Sequence, residues 1–190
     1  KPMLHHSTHG EDFYEFLIEV PRLNKGVYDE VKVEVSDRIF DISTIKENQN
    51  IRVEGQFRSF NEYNEELDRM TLRLFVFARE LEVVDNVEDY ENVINLRGFI
   101  CKDVVHRKTP SGREISDVIL SVNRLYNKSD YIPCVVWGRN SKYVAKMSVG
   151  DEIELQGRVQ SRKYTKNLGE TSVERTVYEV SVLNVKKVDC

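Results

Sequence analysis

The sequence predicts an all-β protein of two small five-stranded barrels in tandem, each with a short helix between its third and fourth strands. The first observation behind this is an internal repeat. Gly10-Glu11 precedes an apolar run ending Val20-Pro21-Arg22, and Gly112-Arg113 precedes one ending Val122-Asn123-Arg124, so both ends of the run recur at an offset of 102. Ile51-Arg52-Val53-Glu54-Gly55-Gln56-Phe57-Arg58-Ser59 matches Ile153-Glu154-Leu155-Gln156-Gly157-Arg158-Val159-Gln160-Ser161 at the same offset. Arg69-Met70-Thr71-Leu72 matches Arg175-Thr176-Val177-Tyr178 at 106, which gives the second copy about four extra residues in its last connection. The second observation is the period-two alternation of apolar and polar residues that half-buried strands require.

Val31 to Val35, Ile51 to Phe57 and Val177 to Leu183 alternate in this way, whereas Val118 to Val122 is more continuously apolar. Ile39 to Ile45 and Ser141 to Met147 read as the short helices. The second of these ends in Val149-Gly150-Asp151, which stops a helix and launches a strand. Gly55 and Gly157 interrupt matching strands where a barrel strand bends sharply. Five short strands with one helix between the third and fourth is the order of the OB fold. A sandwich is the alternative, and the single helix at that place favours the barrel. The second copy opens with a strand, Val93 to Ile100, whose counterpart would precede Lys1. The first barrel is therefore expected to draw its first strand from a longer natural chain or from another subunit. The expected domains are 1–86 and 92–190.

The 190 residues carry a net charge of −4, unevenly spread. Residues 1–91 hold 11 Lys+Arg against 21 Asp+Glu, a balance of −10, and residues 92–190 hold 17 against 11, a balance of +6. Such a contrast suggests a division of labour, with an acidic first barrel and a basic second one. No apolar run approaches the roughly 20 residues that span a bilayer, and Lys1 to Gly10 lacks the apolar core of a signal peptide. The three cysteines give neither a disulfide framework nor a metal-binding CxxC spacing; Cys101 and Cys134 read as small core residues and Cys190 is terminal. A reduced, cytosolic protein is expected.

OB barrels that hold single strands set cations for phosphates beside aromatic rings on which bases stack. The second copy has both. Tyr126 follows its second strand, Tyr131 and Trp137 bracket its third, and Tyr164 lies beyond its fourth. Among them run Arg107, Lys108, Arg124, Lys128, Arg139, Arg158, Arg162, Lys163 and Lys166. Laying Val31, Val33 and Val35 on Ile132, Cys134 and Val136, a local offset of 101, leaves Tyr131 and Trp137 together on the outer face. A strict offset of 102 would instead bury Trp137, and a lone tryptophan at a strand end is often packing. Arg158, Arg162, Lys163 and Lys166 straddle the hairpin from Gln160 to Glu174, whose expected tip is Asn167-Leu168-Gly169. In the first copy Ser36 or Val35 takes the Trp137 place, Asp29 or Glu30 the Tyr131 place and Glu62 the Tyr164 place, with Phe60 and Tyr63 nearby. Acidic residues repel phosphate, so this barrel reads as a weak binder or a protein-contact module. His5, His6 and His9 read as incidental histidines of a surface loop. No Ser-His-Asp order, phosphate-cradling glycine loop or paired-carboxylate site emerges; no catalysis, cofactor or metal is expected.

The second copy resembles the bacterial single-stranded DNA-binding protein family. The resemblance rests on Thr109-Pro110-Ser111-Gly112, Val118 to Val122, Tyr131-Ile132-Pro133-Cys134-Val135-Val136-Trp137-Gly138-Arg139, and Gly157-Arg158-Val159-Gln160-Ser161-Arg162-Lys163-Tyr164. It covers about Asn92 to Val185, and the whole chain looks like the two-barrel form of some firmicute bacteria. By resemblance, Tyr126, Tyr131, Trp137 and Tyr164 are base-stacking residues, and the chain is expected to form a homodimer of four barrels at the nucleoid. Replication, repair and recombination are the roles it implies, with replication or repair proteins as partners. Lys186-Lys187-Val188-Asp189-Cys190 does not look like the flexible acidic tail through which the family recruits such partners. That tail either lies beyond these residues or is missing from a specialised member. The competing expectation is a primosome-like interaction protein that touches DNA only weakly.

Overall fold

The computed structural model describes residues 1–24, 26–65, 68–85, 87, 89–168 and 171–188, with the side chains of 166–168 and 171–175 outside the description. The chain divides into two compact units, Lys1–Glu91 and Asn92–Cys190. Both are built almost wholly of strands.

The first unit contains β1 (Met3–Thr8), β2 (Glu11–Pro21), β3 (Tyr28–Ser36), a single 3-10 turn (Ile42–Thr44), β4 (Asn50–Asn64) and β5 (Arg69–Val84). Its sheet order is β1-β2-β3-β5-β4, with β3 and β5 parallel. The core gathers Phe16, Val33, Val35, Ile45, Ala78 and Leu81, of which Val33 and Val35 are inward residues of the predicted alternation. The stretch expected to be helical from Ile39 to Ile45 is only that one turn. Asp41 caps it by accepting from the Ser43 backbone N–H at 3.1 Å, a preference of short side-chain acceptors at helix starts.

The second unit contains β6 (Ile94–Ile100), β7 (Val105–Lys108), β8 (Glu114–Arg124), β9 (Lys128–Trp137), α1 (Gly138–Val144), β10 (Glu152–Leu168) and β11 (Thr171–Lys187). Its order is β6-β10-β11-β9-β8-β7, and β6 also pairs with β8, which closes the barrel. Closure buries Ile153 and Leu155 against β6, opposite Gly98 and Leu96. The helix starts and ends three residues earlier than the expected Ser141 to Met147, because β9 runs straight into it at Gly138; Lys146 and Met147 continue with turn bonds to the Tyr143 and Val144 carbonyls. Among the described residues the first unit has no strand equivalent to β6. Ile51 and Val53, the equivalents of Ile153 and Leu155, are accordingly only partly covered.

Two details show how closely the copies share their folding logic. In β4 and β10 the register slips at Glu54/Gly55 and at Gln156/Gly157. A side chain at Gly55 would place its Cβ 2.2 Å from the Phe77 carbonyl oxygen, and one at Gly157 would place it 2.3 Å from that of Ser181. The glycines thus permit a bulge at which the strand coils and the partner backbone comes close. A buried ion pair is also duplicated: Arg22 Nε donates to Asp29 at 3.0 Å, and Arg124 Nε lies 2.9 Å from Asp130. Each aspartate is 1% exposed.

Candidate nucleic-acid interface

β9 settles which of its faces is outward. Ile132, Cys134 and Val136 are buried to 2% exposure or less, so Tyr131 and Trp137 share the opposite face, as the 101 offset requires. Burial pushes the Cys134 thiol up from its ordinary range. The registers then assemble a continuous outer surface. Trp137 lies opposite Ile115, and Ile115 opposite Arg107; Tyr131 lies opposite Ser121. Across the parallel β9–β11 pair, Val135 lies opposite Ser181, and Ser181 lies opposite Arg158 on β10. Alternation carries Gln160, Arg162 and Tyr164 onto that same face.

The arrangement is held by specific bonds. The half-buried Trp137 donates its indole N–H to Ser181 Oγ at 3.1 Å, which satisfies the polar edge of the ring. Tyr131 is 49% exposed and Tyr164 is 37% exposed. Arg158 donates to Gln160 Oε1 at 3.0 Å, and Gln160 in turn donates to Glu179 Oε1 at 2.7 Å. Arg162 Nε stands 3.9 Å from the same carboxylate. Glu179 thus accepts a hydrogen bond from Gln160 on this surface, with the Arg162 cation nearby. Arg107 is held by Asp117 through two bonds, at 2.5 and 3.1 Å.

Not every predicted residue joins this face. Arg124 belongs to the buried pair with Asp130. Lys108 lies opposite Glu114, on the other side of the β7–β8 hairpin from Arg107; Glu114 pairs there with Lys142 at 2.9 Å. Lys163 alternates away from Tyr164 along β10. Arg139 is exposed in the first turn of α1 and Lys128 is exposed beside the β8–β9 turn. Tyr126 stands in that turn with φ of 63° and 91% exposure, a left-handed conformation unusual for an aromatic residue. The Lys166 side chain and the predicted tip residue Gly169 lie outside the described residues.

The corresponding face of the first unit is closed. By the same registers Ser36 takes the Trp137 place, Glu30 the Tyr131 place and Phe77 the Ser181 place. Glu15 and Glu34 are directly opposite each other, and Arg73 donates to both, at 2.5 and 2.8 Å. The guanidinium of Arg73 also lies 4.1 Å over the Phe75 ring, and that of Arg58 lies 3.7 Å over Phe77. Arg73, Glu34, Phe13 and Phe75 are all buried, so the chain's own side chains cover the surface.

Residues 91–188 match the model of the single-strand binding protein family, just over half of the chain. The chain belongs to the single-strand binding protein family. The single-stranded DNA-binding protein of Clostridium tetani is 35% identical over 102 residues, covering 50% of this chain and 68% of that protein. Single-stranded DNA-binding protein A of Bacillus subtilis is 33% identical over 86 residues, 42% of this chain and 50% of that protein. The chain thus spans two thirds of the first of these family members and half of the second. The crystal structure of the wild-type single-stranded DNA binding protein from Thermus aquaticus superposes with a TM-score of 0.74 at 17% identity, covering 100% of this chain and 87% of that one. A deletion mutant of the same Thermus protein gives 0.76 at 16% identity, covering 98% and 88%. These likenesses establish the OB fold of this family member.

Sequence reasoning misses three members of the surface, Ser181, Gln160 and Glu179. Their signal is the alternation against Val180, Val182 and Val159, but only the β9–β11 and β10–β11 registers show that they share a face with Trp137.

Proposed function

We propose that the second unit binds single-stranded DNA with little regard to sequence, stacking bases on Trp137, Tyr131 and Tyr164 while Arg158, Arg162 and Arg107 meet phosphates. The observation that carries this reading is the sharing of one outer face by these six side chains, contributed by three different strands, β7, β9 and β10. Stacking tolerates every base because each has a π-face, and one stacked ring is worth about 1–3 kcal/mol. Tyr126, Lys128 and Arg139 extend the cationic and aromatic surround toward the β8–β9 turn and α1, and Lys163 and Lys166 extend it along the β10–β11 hairpin. Arg124 and Lys108 act structurally.

The relatives named as single-stranded DNA-binding proteins support the same reading, with a non-enzymatic role in replication, recombination or repair. A homodimer that brings four barrels together, replication or repair proteins as partners, and a cytoplasmic, nucleoid-associated location belong to it. Among the described residues no helix is long and apolar enough to cross a membrane. The first unit, acidic and with its own face filled by Arg73, Glu15 and Glu34, acts as a protein-contact or dimer-supporting module. That filled face is also what favours the alternative of an interaction protein with weak DNA contacts.

Trp137 is the sole tryptophan, so its fluorescence reports directly on the site. Titration with oligothymidylate is expected to quench it, with affinity falling steeply between 50 and 200 mM salt as counterions are reclaimed. Trp137→Ala and Tyr164→Ala, followed by the anisotropy of a labelled oligothymidylate, should each weaken binding about 5- to 100-fold with the fold intact. Unchanged affinity in both, or no quenching at low salt, would overturn the assignment in favour of the interaction protein.

A further inference from the structure

Among the described residues one cluster of metal-ligating side chains stands out, and it lies in the first unit. Neighbouring residues of a strand normally point to opposite sides of a sheet. In β1 the pairing slips between Leu4, which faces Tyr14, and His6, which faces Phe13, so His5 is the inserted residue of a bulge. Bulges re-aim side chains, and this one brings His5 and His6 together. Their Nδ1 atoms are 2.8 Å apart. Two imidazole lone pairs repel at that separation, so the pair must share either a proton or a cation. The His6 ring is fixed by lying flat on Phe13, with centroids 4.6 Å apart and planes 6° from parallel.

The third member is Glu34 on β3, whose Oε2 is 3.7 Å from His5 Nδ1. One ligand atom from each of the three residues fits within 4.8 Å of the others. Charge points the same way. Glu34 and Glu15 face each other across β2–β3 and both bond to Arg73, so these three groups carry one net negative charge. Arg73 and Glu34 are buried, where a net charge is costly to maintain.

We propose that His5, His6 and Glu34 form a site for a transition-metal dication, Zn2+ in the first instance. Two imidazole nitrogens and one carboxylate oxygen suit zinc, whereas calcium and magnesium prefer all-oxygen sets. Tetrahedral ligands about 2.0–2.1 Å from an ion stand about 3.3 Å from one another. The histidine pair therefore has to open, and the His5–Glu34 pair to close, by about half an ångström each. A fourth position is left for water. Arg73 remains hydrogen-bonded to Glu34, the kind of outer partner that orients a ligating carboxylate. Because β1 and β3 are separated by β2 in the sheet, the ion ties the β1 edge across β2 onto β3. That tether holds His6 over Phe13, on the very face that the chain keeps covered.

The test uses the full chain, stripped with chelator and titrated with CoCl2 and then ZnCl2. One equivalent of Co2+ should develop visible absorption bands of low coordination number, and Zn2+ should bleach them. Zinc at about 100 times its dissociation constant should raise the melting temperature of the first unit by about 5 °C or more. His5→Ala and His6→Ala should each weaken binding at least about tenfold, while His9→Ala, in the adjacent turn, should leave it unchanged. Glu34→Gln also loosens the Arg73 network, so the two exposed histidines carry the decision. Absence of stoichiometric Co2+ or Zn2+ binding would refute the site, as would binding that survives both histidine variants.

Discussion

Replacing Arg124 by alanine separates a structural cation from a DNA-contacting one. Its guanidinium lies 2.9 Å from Asp130, whose side chain is 2% exposed, while Arg124 itself is 26% exposed. Removing one member of a buried pair costs about 3–5 kcal/mol, because the remaining charge keeps its desolvation penalty. Partial solvent access at Arg124 favours the lower end, about 3 kcal/mol. For a unit of about 100 residues this lowers the melting temperature by about 12–24 °C. Calorimetry on Arg124→Ala should show that fall in the second unit alone. Arg22→Ala, which strips the equivalent pair, should lower the first unit in the same way. Below the transition, oligothymidylate affinity should stay within about threefold of the parent. The slope of log affinity against log salt should also be unchanged, since each lost phosphate contact to a single strand would flatten it by about 0.7. A melting temperature within about 2 °C of the parent, together with weakened binding and a flatter slope, would refute the structural assignment and return Arg124 to the interface.

Two further outcomes follow from the barrel itself. Gly157→Ala puts a Cβ 2.3 Å from the Ser181 carbonyl oxygen, so β10 and β11 must part at the bulge; a loss of about 2 kcal/mol or more in urea unfolding is expected, and a change under about 0.5 kcal/mol would contradict the close approach. The β6–β10–β11 seam should be acid-sensitive. The hydrogen bond from Arg97 holds the Glu152 carboxyl below its usual range, and that from Lys186 does the same for Glu154. Folded-state values lower than the unfolded ones contribute stability that is complete above the ordinary glutamate value of about 4.3 and is lost as pH falls through the folded value. The melting temperature should therefore be level from about pH 7 to 5 and drop below about pH 4, less so in Glu152→Gln and less so at 0.5 M salt; equal acid sensitivity in parent and variant would reject this account.

How legible the molecule was depended on how much each element buries. β3 and β11 contribute buried valines at every second residue, and β9 buries Ile132, Cys134 and Val136 in the same rhythm, so all three strands could be placed from the sequence. β1 and β7 expose all of their residues, so no alternation announces them, and neither was foreseen. The same absence led the sequence reading to place His5 and His6 in a loop, whereas they lie on β1 and a bulge turns both rings to one side. Arg124 and Lys108 looked like interface cations because charge and proximity in sequence do not reveal a partner. Asp130 lies six residues from Arg124 across a hairpin, and Lys108 faces Glu114 rather than Trp137.

From its residues alone this chain determined a duplicated all-β architecture, the acidic and basic character of its halves, and the aromatic set of the second half, because repeats, charge and period-two burial are local properties. Tertiary structure decided what those residues meet. Which strands lie side by side depends on long-range pairing, with β9 against β11 and β6 against both β8 and β10. Only that pairing places Ser181 beside the Trp137 indole N–H in one unit, and sets Arg73 between two carboxylates on the equivalent face of the other.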